Sequence, residues 1–178
     1  MLRTLATINS APEQVFTQLA GRMHEDLTRT ERFLTAAAVT MGPGERALDY
    51  VSAGHNDLMI YRAATGEVDR IASEDVILGF MPDSQYVSRR LPLATGDCVL
   101  LYTDGISEAV DQDDEMFGED RLASLFAQLA ADEAAGPASA KAILDGVVAE
   151  LDRFRGGQVG ADDVTAVVIR CTDEGAPR

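Results

Sequence analysis

The chain has 178 residues, 46% hydrophobic and 25% charged, with 15 Lys and Arg against 30 Asp and Glu for a formal net charge of -15. That length and composition suit one globular domain with a single sizeable core. The acidity argues against binding nucleic acid or an anionic membrane, because no basic patch is available to replace phosphate counterions, and no run approaches the roughly 20 apolar residues that cross a bilayer.

"NSAPEQVFTQLAGRMHEDL" predicts the first helix. Ser10 and Glu13 have capping-box spacing, Pro12 suits a first turn, and Val15, Phe16, Leu19, Met23 and Leu27 make one apolar stripe. His24 reads as an exposed residue on this helix. Strand-like segments follow, punctuated by turns: "FLTAAAVTM", "ALDYVSAG", "DLMIYRA", "VDRIA", "YVSRRLPL" and "CVLLY". Their spacing predicts an antiparallel meander rather than βαβ units. Beyond residue 105 the period becomes helical, with Leu122, Leu125, Phe126 and Leu129 in one segment and Ile143, Leu144, Val147, Val148 and Leu151 in the next. A glycine-rich loop, "RGGQVGADD", leads into a last strand, "VTAVVIRC". Strands and helices are grouped, so the fold class is α+β, with helices packed on antiparallel sheet. Residues 1–172 read as a single domain and 173–178 as a flexible tail.

Cys98 and Cys171 sit in strand-like runs without the short spacing of a zinc site, and read as two buried free thiols. The apolar part of "MLRTLATINSAPEQ" is too short for a signal peptide, so the chain reads as cytoplasmic. "RGGQVG" precedes a strand rather than opening a helix and is not a phosphate-binding loop. "DQDDE" (111–115) fails the EF-hand template, with Met116 where Gly is required and Leu122 where the bidentate Glu belongs, and reads as an exposed acidic turn.

Two places put carboxylates at strand ends: Asp104-Gly105 after "VLLY", and Asp162-Asp163 before "VTAVVIR". If these strands are neighbours, the acids share one sheet edge, and a few carboxylates with water suit a hard cation such as Mg²⁺ or Mn²⁺. Asp-Gly is also a common turn dipeptide, and "ADDVT" reads equally as a solvated turn. Pattern alone favours the turn. His55, in the loop "SAGHND", reads by itself as a structural hairpin residue.

Taken in order, "YVSAGHND", "LPLATGDCVLLYTDGISEAVDQDDEMFGEDRL" and "ADDVTAVVIR" resemble the C-terminal two thirds of SpoIIE/RsbU-type phosphatases, members of the metal-dependent PPM superfamily. The resemblance covers about residues 2 to 171. It implies an antiparallel β-sandwich flanked by helices, and hydrolysis of phosphoserine or phosphothreonine by water bridging two Mn²⁺ or Mg²⁺ ions. It makes Asp104 and Asp162 metal ligands and Asp163 an outer residue that orients the site, with Gly105, Gly54 and His55 adjacent. The implied partner is a phosphorylated regulatory protein of the anti-sigma-factor-antagonist kind. The family's N-terminal acidic motifs, GD-x-x-D-like and D-x-x-GHG, do not occur here, so half of the usual metal site and the first strands are expected to be missing. The alternative is a non-enzymatic binding module of the same fold. Uncovered sheet leads to a further expectation, a homodimer.

Overall fold

The computed structural model describes residues 11–132, 139–158 and 162–172. Its elements run in chain order α1 (Pro12–Arg29), β1 (Ala36–Thr40), β2 (Ala47–Ala53), β3 (Leu58–Arg62), β4 (Glu67–Ile71), β5 (Arg89–Pro92), β6 (Cys98–Tyr102), α2 (Asp104–Ser107), α3 (Glu119–Ala131), α4 (Ala140–Arg155) and β7 (Ala166–Arg170). They fall into two units. The first takes in the described parts of Met1–His55 and Ser73–Leu93, the second those of Asn56–Ala72 and Ala94–Glu174.

In the first unit, α1 begins at Pro12 with Ala11 as its N-cap; Ser10, the expected capping residue, lies outside the described residues. Proline is well placed there, since its missing N–H is one the helix would leave unpaired anyway. The stripe read from the sequence buries Val15, Phe16 and Leu19 against Val51, Ala53, Leu78 and Tyr86. Phe16 meets Tyr86 edge to face, with ring centroids 5.8 Å apart. His24 is half-buried rather than exposed, its Nδ1 2.8 Å from the carbonyl of Gly79, because the 77–81 turn packs across that flank of the helix. The sheet is antiparallel in the order β1-β2-β5, with Ala36 opposite Ala53 and Ala47 opposite Pro92.

In the second unit the order is β4-β3-β6-β7, again antiparallel. The strand period of two puts Met59 and Tyr61 on one face with Cys98, Leu100 and Tyr102. Met59 lies opposite Leu100 and Tyr61 opposite Cys98. This face packs with Leu122 and Phe126 of α3 and Ile143, Val147 and Leu151 of α4. The Ser139 hydroxyl accepts from the Ala142 N–H at the start of α4, and Gly156 ends the helix with a φ of 58°.

The strands do not form one meander. β2 pairs with β1 and β5, whereas β3 pairs with β4 and β6, so the chain changes sheet after β2, after β4 and after β5. Gly54 makes the first exit: at φ 62° its N–H leaves the ladder for the Asp75 carbonyl (3.1 Å) and the Ser73 hydroxyl (2.9 Å). Cys98 is buried and Cys171 half-buried, and both are free thiols.

Candidate functional site

β6 and β7 are neighbours, and their register sets the site. Tyr102 lies opposite Ala166, so the chain leaving β6 and the chain entering β7 meet at one edge of the sheet. Asp104 and Gly105 stand on the first of these segments, Asp162 and Asp163 on the second. The backbones are in direct contact. A Cβ on Gly105 would sit 2.4 Å from the Asp163 carbonyl oxygen and 3.5 Å from that of Asp162. Gly105 is therefore required by space, not by an unusual φ.

Thr103 joins the segments. Its N–H donates to the Thr165 carbonyl (3.0 Å), its hydroxyl donates to the Asp163 carbonyl (3.2 Å), and the same oxygen accepts from the Thr165 N–H (3.0 Å). From the far side, Arg155 at the end of α4 donates through Nη2 to the Gly105 carbonyl (3.0 Å), while its buried Nε has no hydrogen-bond partner among the described residues.

Asp104, Asp162 and Asp163 are all exposed. Asp104 Oδ1 accepts from the Gly105 N–H (3.0 Å), and Asp162 Oδ1 from the Asp163 N–H (2.8 Å). Exposed carboxylate oxygens on abutting loops are the donor type that Mg²⁺ and Mn²⁺ prefer. In donor type and placement these residues suit such an ion. In number they fall short, since among the described residues no group of three His, Cys, Asp or Glu could hold a metal.

The buried acid of this region is at the other end of β6. Asp97 is 2% exposed and accepts from the N–H groups of Ala63 and Ala94 and from Arg62 Nη1, each at 3.0 Å. Arg62 also reaches Asp69 at 2.7 Å. Burial pushes the Cys98 thiol next to Asp97 upward, and burial followed by the negative charge of Glu119 pushes up the Tyr102 phenol, which donates to Glu119 Oε1 at 3.1 Å.

Gly54 and His55 belong to the first unit. A Cβ on Gly54 would lie 2.4 Å from Ile77 Cγ2, and His55 Nδ1 is 3.2 Å from the Thr35 hydroxyl. The "FGEDRL" stretch is packing: Phe117 is buried edge to face with Phe154 at 5.1 Å, and the Arg121 guanidinium lies 4.4 Å from the Phe154 ring centroid. The "DQDDE" segment is an exposed turn in which Asp111 Oδ1 accepts from the N–H groups of Asp113 and Glu115. Sequence reasoning missed Thr103 and Arg155. The first had a local signal, a hydroxyl between a buried strand and an Asp-Gly pair; Arg155 had none.

Comparison with known proteins shows the family and the fold. The family model described as Stage II sporulation protein E (SpoIIE) matches residues 1–172. Protein IcfG of Synechocystis is 29% identical over 122 residues, which are 68% of this chain but 18% of that protein. The SiaA-PP2C domain of Pseudomonas aeruginosa superposes with a TM-score of 0.72 at 23% identity, over 89% of this chain and 60% of that one. The RsbU and RsbW domains of a Mycobacterium tuberculosis protein also give 0.72, at 18% identity, over 99% and 46%. The SpoIIE phosphatase domain of Bacillus subtilis (Mn presoaked) gives 0.64 at 16% identity, over 99% and 74%. This chain thus spans about a fifth of the curated relative and between 46% and 74% of these structures.

Proposed function

Because the chain belongs to the SpoIIE family, whose model matches residues 1–172, we propose that it is the metal-dependent serine/threonine phosphatase domain of a bacterial signalling protein. Its substrate is phosphoserine or phosphothreonine on a regulatory partner of the anti-sigma-factor-antagonist kind. The observation that carries this reading is the contact between the two acid-bearing segments at the β6–β7 edge. Asp104 and Asp162 are the residues that would hold Mn²⁺ or Mg²⁺, with Asp163 orienting the loop beside them. Such an ion neutralises phosphoryl charge and lowers the pKa of bound water. The contribution of the chain itself is to present exposed carboxylates from a rigid sheet edge. The test is Mn²⁺-dependent hydrolysis of p-nitrophenyl phosphate and of a phosphoserine peptide. It is run on this chain and on a form extended by whatever coding sequence lies in frame upstream of Met1. Little turnover is expected from the 178 residues alone and robust turnover from an extended form carrying the family's acidic motifs. A silent extended form that carries them would sink the proposal.

A second reading, a partner-binding module without hydrolysis, is favoured by one observation, the lack of a three-ligand cluster among the described residues. Partner binding by an extended form that hydrolyses neither substrate would support it.

A further inference from the structure

At an ordinary antiparallel pair, two residues exchange N–H and carbonyl in both directions. Thr103 and Thr165 occupy such a position, one step beyond the Tyr102–Ala166 pair, yet exchange in only one direction through the backbone. The Thr103 N–H donates to the Thr165 carbonyl, but the Thr103 carbonyl accepts instead from the Ile106 N–H (3.0 Å), which closes the first turn of α2. The Thr165 N–H would then be left without its partner. The Thr103 hydroxyl takes the carbonyl's place at 3.0 Å, and its own proton goes to the Asp163 carbonyl at 3.2 Å. One side chain therefore does two things. It lets the strand become a helix within a single residue, which puts Asp104 at the sheet edge, and it ties the 162–165 segment to that edge.

The tie joins two acid-bearing segments whose backbones are close enough that Gly105 has no room for a methyl group. The Arg155 hydrogen bond to the Gly105 carbonyl braces the turn from α4 and adds a positive charge nearby.

We infer that Thr103 is a positioning residue that sets the separation between the Asp104 turn and the Asp162–Asp163 segment, with its hydroxyl standing in for a ladder carbonyl. This rests on the reading of Asp104 and Asp162 as metal ligands given above, and it reaches beyond it by assigning the element that holds their segments in register. Valine at 103 keeps the branched shape and removes the oxygen; serine keeps the oxygen.

The experiment uses the 178-residue chain with Thr103→Val and Thr103→Ser, and two readouts. The first is amide exchange without metal. The Thr165 N–H is expected to exchange at least about tenfold faster in Thr103→Val and near the wild-type rate in Thr103→Ser, with Leu100 and Ile169 unchanged in both. Unchanged protection of Thr165 in Thr103→Val overturns the proposal. The second is Mn²⁺ affinity, read from the electron paramagnetic resonance of free Mn²⁺. Thr103→Val is expected to weaken it about tenfold and Thr103→Ser to restore it. Equal Mn²⁺ affinity in wild type and Thr103→Val also overturns the positioning role, because a merely structural hydroxyl would alter exchange alone. Should the wild-type chain bind no Mn²⁺, the metal-ligand reading fails for this chain, and the exchange experiment alone decides the role of Thr103.

Discussion

The carboxylate of Asp97 and the guanidinium of Arg62 lie 3.0 Å apart, with side-chain exposures of 3% and 23%. With its two backbone donors, Asp97 is satisfied on both oxygens, so the pair tethers the β3–β4 hairpin to the turn that starts β6. Truncating one partner of a buried hydrogen-bonded pair costs far more than truncating an exposed one. Asp97→Ala is expected to lower the unfolding free energy by about 3 kcal/mol. Asp26→Ala, which breaks a pair 77% exposed on each side, should change it by less than about 1 kcal/mol. Urea denaturation of the two variants checks the ratio.

Gly105→Ala forces a methyl group to within 2.4 Å of a backbone oxygen, which cannot swing aside as a flexible side chain could. The expected cost is about 1–3 kcal/mol, with the 162–165 segment displaced. Thermal unfolding measures the cost, and faster exchange of the Thr103 and Thr165 amides reports the displacement.

Asp104→Asn keeps an oxygen for the Gly105 N–H and removes the charge of an exposed side chain. Unfolding should move by less than about 0.5 kcal/mol. Mn²⁺-dependent hydrolysis by an active extended form should fall at least about a hundredfold. Unchanged turnover would remove Asp104 from the metal site.

Cys98 and Tyr102 have folded-state pKa values raised chiefly by burial. Above about pH 8.5 the unfolded thiol loses its proton while the folded one keeps it, so the unfolded state binds fewer protons and stability falls as pH rises. The loss begins near the unfolded thiol value and deepens as the unfolded phenol titrates near pH 10. Denaturation midpoints at pH 7, 9 and 10 should decline in that order, and Cys98→Val should flatten the step from 7 to 9. An unflattened step would assign the decline to other groups.

In the first unit, an apolar groove of about 320 Å³ runs along α1 and β1, lined by Phe16, Leu19, Met23, Leu34, Ala36 and Leu78. Phe33 (73% exposed) and Phe80 (63% exposed) belong to the same unit. Among the described residues β1 is an edge strand. A sheet edge of this kind is a template for a second chain. Self-association is the expected outcome in sedimentation at high concentration, with Leu34→Asp shifting the chain toward monomer. A wild-type chain that stays monomeric throughout removes the idea.

Much of this was legible in the sequence because the signals were local. The stripe Val15–Phe16–Leu19 and the helical spacing around Leu122 and Val147 buried the faces they predicted. Contact between the Asp104 and Asp162–Asp163 segments required that β6 and β7 be neighbours, a condition that the sequence pattern left open and the register meets. Other features were invisible for physical reasons. A period of two gives which face a residue occupies but not which strand it pairs with, so the switch of sheets at Gly54 could not be read. The exposure of Asp104 and the burial of Asp97 were likewise out of reach. Both are acids flanking one apolar strand, and only the hairpin from Arg62 distinguishes them. Arg155 reaches Gly105 across 50 positions of chain, a distance that no spacing rule spans.

The two units are interleaved along the chain, with crossings at residues 55/56, 72/73 and 93/94. β5, which completes the first sheet, follows two strands of the second in synthesis order. No single cut in the gene separates one unit from the other. Recombination can therefore exchange this domain only as one block, and a ribosome that has released the first sixty residues has completed neither the three-stranded nor the four-stranded sheet.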